Sequence, residues 1–143
     1  MTSYKFDDRN IQWYKIGDLE NFVGRVLDID EVNKVIDVIL KFEPHKQIIL
    51  HRHMALNKSL VVQGEHRLYE SDGKVKEVRP VGSYTSSPAS NDPHRECGGD
   101  EGAVVFFSIR GDGVLYEVLD DEQNLIGTLS MQDFIDLFKA NKE

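Results

Sequence analysis

Turn-forming residues recur along this chain every roughly 6 to 12 positions, and the runs between them are rich in β-branched and aromatic side chains. That spacing leaves little room for helices and predicts an all-β sandwich or barrel. Val35–Phe42 (V-I-D-V-I-L-K-F) reads as a strand, followed by a turn at Glu43-Pro44-His45-Lys46 and a second strand over Gln47–His53. Ser59–Gln63 and Glu65–Glu70 read as two strands joined tightly at Gln63-Gly64, and Ser71-Asp72-Gly73 as a turn. Lys74–Arg79 is a polar strand. Ser83–Gly102, rich in Ser, Pro, Asn, Asp and Gly, reads as a loop. Ala103–Ile109 (A-V-V-F-F-S-I) is the most apolar strand and is expected at the centre. Val114–Leu119 and Asn124–Thr128 form a further antiparallel pair.

One helix is expected, at the C-terminal end. Ser130 can cap it and Asp133 stands at the third position beyond. Met131, Phe134, Ile135, Leu137 and Phe138 form its apolar stripe. The expected organisation is a single domain over 1–143, with an N-terminal arm over about 1–24, a barrel over about 25–129 and a helix over about 130–141.

A length of 143 residues suffices for one real core. The formal charge of −8 argues against a general binder of nucleic acid or of anionic membranes. One cysteine, Cys97, excludes an intrachain disulfide. The N-terminal residues lack the apolar stretch of a signal peptide, and no apolar run reaches the ~18 residues of a membrane span. A cytoplasmic location is the expectation.

The chemistry concentrates in His51-Arg52-His53 and His94. Side chains two apart on a strand share a face, so His51 and His53 can hold one metal ion together. A third imidazole from a neighbouring strand would complete a three-histidine site suited to Fe, Ni, Cu or Zn. A lone histidine on a strand is more often a polar residue with a hydrogen-bond partner, and it is the pairing with His94 that points to metal.

His51-x-His53 followed by Asn57 and Gly64, then Gly82, Pro88 and His94, resembles the two-motif signature of the cupins. The resemblance covers roughly residues 45–102. It implies a double-stranded β-helix, or jelly-roll, barrel with a metal inside. His51, His53 and His94 are the ligands it implies. The chain departs from the pattern at His45, where a Gly often precedes the H-x-H, and at Ser90, where a Gly often follows the Pro. Asn57 stands where cupins often carry a metal-binding Glu. Losing that carboxylate raises the net charge of the site and leaves about three open positions on an octahedral ion. That resembles the three-histidine type, including acetylacetone-cleaving dioxygenases, and also the ChrR-like sensor cupins.

The implied activity is an Fe(II) dioxygenase acting with O2 on a small chelating substrate of the β-dicarbonyl or hydroxyketone class. The alternatives are a metal- or ligand-binding sensor module, or a metal-dependent isomerase with Zn or Mn; beside Fe(II), the possible ions are Zn, Ni and Mn. A homodimer is expected by the same resemblance, helped by open β-edges near the N-terminal arm.

Asn57, His66, Arg67, Tyr69, Tyr84 and Glu96, together with Arg79, are the candidates to line the pocket or support the ligands. Strand parity places Arg67 and Tyr69 on one face of their strand and His66 and Leu68 on the other. The plainer expectations are a rim position for His66, a loop position at the barrel mouth for His45, and a structural role for Cys97.

Overall fold

The computed structural model describes residues 4–141. Nine strands and one helix follow in chain order: β1 Phe22–Asp30, β2 Val35–Phe42, β3 His51–His53, β4 Leu56–Glu70, β5 Val75–Pro80, β6 Tyr84–Ser87, β7 His94–Arg110, β8 Val114–Leu119, β9 Leu125–Ser130 and α1 Met131–Ala140. All nine strands join one curled antiparallel sheet, in the order β1-β2-β7-β3-β8-β9 with β4, β5 and β6 branching from β7.

β7 organises the sheet. Its second half, Ala103–Arg110, lies between β2 on one side and β4 on the other. Its first half pairs with β4 through Glu70↔His94 to His66↔Gly98, and with β3 through His51↔His94. The expected central strand is therefore correct, but it starts well before Ala103.

The loop expected over Ser83–Gly102 is instead β6 and the first half of β7. Its glycines mark close approach of backbones within a strand. Between His66↔Gly98 and Gly64↔Ala103, four residues of β7 bulge opposite the single residue Glu65 of β4. A Cβ on Gly98 would collide with the backbone of Gly102 and lie 2.7 Å from the Ala103 nitrogen.

Gly64 is equally not a turn. Its φ of +72° sits in a bulge of the continuous strand β4. Two smaller differences concern the ends. Of Gln47–His53, only His51–His53 is regular strand, although Ile48 still donates its backbone N–H to the Glu96 carbonyl. The arm expected up to residue 24 ends earlier, because β1 begins at Phe22, and Tyr14 forms an isolated bridge with Gly24.

The inner face of the curl carries the core. Ile36, Val38 and Phe42 of β2, Val61 of β4, Val105, Phe107 and Ile109 of β7, and Leu115 of β8 pack there. α1 closes this core through Met131, Phe134 and Ile135. Its capping box is complete: Ser130 Oγ accepts from the Asp133 N–H, and Asp133 accepts from the Ser130 N–H. The cap is worth about 1 kcal/mol. Each buried apolar side chain adds about 1.5–3 kcal/mol. Packing, more than the cap, thus holds a helix too short to stand alone. No helix among the described residues is long and apolar enough to cross a membrane.

Candidate metal centre

β3 and β7 bring the candidate ligands together by register. His51 faces His94 directly across the β3–β7 pair. His53 lies two residues beyond His51 on β3, and Glu96 two residues beyond His94 on β7. The donor atoms of His51, His53, His94 and Glu96 all lie within 4.8 Å of one another, and all but His53 are buried. Three imidazoles and a carboxylate at this spacing can hold one divalent metal ion.

Glu96, a pocket candidate in the sequence, stands inside the cluster beside the three expected histidines. Its Oε2 lies 3.0 Å from Nε2 of both His51 and His94. Were Glu96 a ligand as well, about two positions would stay open on an octahedral ion, where three histidines alone would leave about three. The signal was present in the sequence: His94-x-Glu96 has the same strand periodicity as His51-x-His53. It was hidden by the loop-like composition around it.

The electrostatics follow from burial and partners. Burial would push the Glu96 carboxyl up, but hydrogen bonds from His51, His66 and His94 hold it well below the usual range. Burial opposes protonation of His51, yet its bond to Glu96 outweighs this and raises it. Burial lowers His94, although its bond to Glu96 works the other way. Burial, with repulsion from His51 and His94, holds His53 well below the ordinary histidine value. The cluster therefore contains an ionised carboxylate and a neutral His53 whose lone pair is available as a ligand. The Nδ1–H of His51 donates to the Ile49 carbonyl at 2.8 Å, which leaves Nε2 for the centre.

Asn57 is buried but is not part of the cluster. Its Oδ1 accepts from the Tyr116 hydroxyl at 2.7 Å, and its Nδ2 donates to the Ala55 carbonyl at 3.1 Å. The amide is thus committed at both ends. Burial pushes the Tyr116 phenol up, which keeps it protonated as the donor. Its ring stands edge-on to His53 at 5.0 Å, a neighbour the sequence did not indicate.

His66 is fully buried and bonded to Glu96 at 2.9 Å, and so is not a rim residue. Arg67, Tyr69 and Tyr84 lie away from the centre. Arg67 pairs with Glu65, and the Cys97 thiol donates to the Tyr69 hydroxyl at 3.7 Å. Tyr84 is exposed in an outer groove with Leu60 and Phe106. His45 is an exposed loop residue paired with Asp100.

Two cavities meet at the cluster. One, about 50 Å³, is apolar; Val38, Ile49, Phe107, Ile109 and Phe134 line it beside His51, His53, Glu96 and Tyr116. The other, about 200 Å³, opens past the polar side chains of Ser59, Lys76, Arg79, Thr85 and Ser87 to His53, His94 and Glu96. Arg79 is held by Glu77 in this wall.

No family model matches this chain, and no curated protein matches it by sequence. Solved structures do match in shape. An RmlC-like cupin protein from Ralstonia eutropha JMP134 superposes with a TM-score of 0.75 at 19% identity, over 98% of this chain and 87% of that one. A putative acetylacetone dioxygenase from Methylibium petroleiphilum PM1 superposes with a TM-score of 0.69 at 10% identity, over 96% and 95%. An acetylacetone dioxygenase from Acinetobacter johnsonii gives 0.69 at 12% identity, over 99% and 93%. At these identities the likeness establishes the fold. This chain has the cupin fold, a jelly-roll β-barrel with a C-terminal helix and a cluster of three histidines and one glutamate inside it.

Proposed function

We propose that this chain is a metal-dependent enzyme, an Fe(II) oxygenase that uses O2 to cleave or oxygenate a small chelating substrate of the β-dicarbonyl or hydroxyketone class. The observation that carries the proposal is the convergence of His51, His53, His94 and Glu96 between a small apolar cavity and a larger one that carries polar side chains in its wall. A bound metal would supply Lewis acidity, a template for a chelating pair of oxygens and a path for electrons. The apolar cavity suits small alkyl substituents, and the polar mouth suits admission of a charged or enolised head group. Likeness in fold to acetylacetone dioxygenases agrees with this chemistry.

A second reading is a non-redox isomerase with Zn, Ni or Mn. The donor set leaves it open, because three imidazoles and a carboxylate suit a redox-inert ion such as Zn as well as iron. The deciding experiment is anaerobic reconstitution with Fe(II), followed by a panel of diketones, hydroxyketones and thiols on an oxygen electrode. Substrate-dependent O2 uptake is expected. Stoichiometric iron with no O2 uptake across the panel, but with isomerised product, would replace the oxygenase by the isomerase. His51→Ala, His53→Ala and His94→Ala are each expected to lose metal by elemental analysis. Full retention in any of them would remove that residue from the ligand set.

A further inference from the structure

We infer that His66 is the positioning residue for Glu96, donating to one carboxylate oxygen so that the other is aimed at the point where His51, His53 and His94 converge. The inference rests on reading that four-residue cluster as a metal site.

The two oxygens of Glu96 have separate partners. Oε1 takes the bond from His66 Nε2 at 2.9 Å, and Oε2 faces Nε2 of His51 and His94 at 3.0 Å each. Without the His66 donor, Oε1 would be buried without a partner and the carboxylate free to turn about its last torsion. His66 is suited to hold it still. The face of its ring stacks on Phe42 with centroids 5.1 Å apart and planes 21° apart. Phe107 meets it edge-on at 6.1 Å. Its backbone pairs with Gly98, and the next inward residue of β4, Leu68, pairs with Glu96 itself.

The proton is also placed. His66 Nδ1 is buried and has no hydrogen-bond partner, so a proton there would be left unsatisfied. The tautomer that fits carries its hydrogen on Nε2, as a donor to the carboxylate. The asparagine at position 57 cannot take over this task, because both ends of its amide are engaged elsewhere.

The test is titration of the metal-free full chain with Co(II), followed by visible absorption, with folding checked by circular dichroism. The unsubstituted chain is expected to bind one equivalent. His66→Phe keeps the ring stacking but removes the donor. It is expected to bind cobalt about 10- to 100-fold more weakly, with a changed ligand-field spectrum. His66→Gln, which returns an N–H donor near the same place, is expected to restore both affinity and spectrum. His66→Asn, too short to reach Glu96, repeats the loss of the donor if the phenylalanine variant does not fold. Affinity and spectrum of His66→Phe or His66→Asn equal to those of the unsubstituted chain would overturn the role of His66 and leave the metal site standing. So would a glutamine variant no better than these. Failure of the unsubstituted chain to bind cobalt would overturn the metal site and the inference together.

Discussion

Gly64→Ala tests the close backbone-to-backbone contact of β4 and β7, and Gly73→Ala is its built-in control. Both glycines have positive φ, +72° and +91°. A left-handed backbone costs an L-residue about 1–2 kcal/mol. Part of that is offset by about 0.4–1 kcal/mol, because alanine has less freedom to lose from the unfolded chain. A Cβ on Gly73 would meet nothing within 4 Å, so Gly73→Ala is left with a net loss of about 1 kcal/mol.

At Gly64 the added Cβ would run into the Gly102 carbonyl oxygen and come within 2.9 Å of its carbon and 3.1 Å of Ala103 Cα. These are main-chain atoms and cannot swing aside as a side chain can. Overpacking of this kind adds about 1–3 kcal/mol. Gly64→Ala is therefore expected to lose about 3 kcal/mol in total. With roughly 3 °C per kcal/mol for a chain of this size, the melting temperature should fall by about 3 °C for Gly73→Ala and about 9 °C for Gly64→Ala. Thermal unfolding followed by circular dichroism reads both. Equal melting temperatures would refute the close approach of the two strands. A Gly64→Ala chain as stable as the unsubstituted one would refute the strain as well.

Asn57→Ala should lower stability by about 1 kcal/mol in urea unfolding, because it leaves the half-buried Tyr116 hydroxyl without its acceptor. The same variant should keep its metal; loss of metal would put Asn57 among the ligands. Asp8 accepts from Lys41 and from Trp13, the only tryptophan, and these bonds lower its pKa. Its contribution to stability is thus present above the ordinary aspartate value of about 3.9 and is lost as the pH falls through the lower value of the folded state. Trp13 fluorescence should report that lower transition, and Asp8→Asn should abolish it; an unchanged titration would disprove the contact. Ser130→Ala should cost about 1 kcal/mol and speed hydrogen exchange at the first amides of α1, whereas unchanged exchange would show the capping box to be idle.

The parts of the molecule set by local pattern were legible in the sequence. β2 announces itself through β-branched residues, α1 through its cap and stripe, and the shared face of His51 and His53 through strand parity. The first half of β7 was not legible. Its Gly and Asp residues carry the composition of a loop, yet the segment pairs with β4, and its main chain passes at contact distance twice, Gly98 against Gly102 within the bulge and Gly102 against the Phe42 carbonyl. That pairing joins residues far apart in the chain and has no local signature. Glu96 was placed among the pocket candidates and not in the histidine cluster for the same reason, since its parity has meaning only once its segment is known to be a strand. His66 shows the opposite limit: parity put it on a face with Leu68, but only the curl of the sheet made that face the inside.

All four cluster residues come from two strands that meet at the single pair His51↔His94. The centre is therefore more exposed to changes in chain length than to many changes in side chain. A residue inserted near Lys46, in the irregular stretch before β3, can be taken up without altering which side chains face inward. A residue deleted between Pro93 and Gly98 cannot. Deletion of Arg95, for example, would leave Glu96 directly after His94 and therefore on the opposite face of the strand. For a lineage of such barrels, the stretch that must keep its length is the strand carrying His94 and Glu96, and the stretch free to drift is the approach to His51.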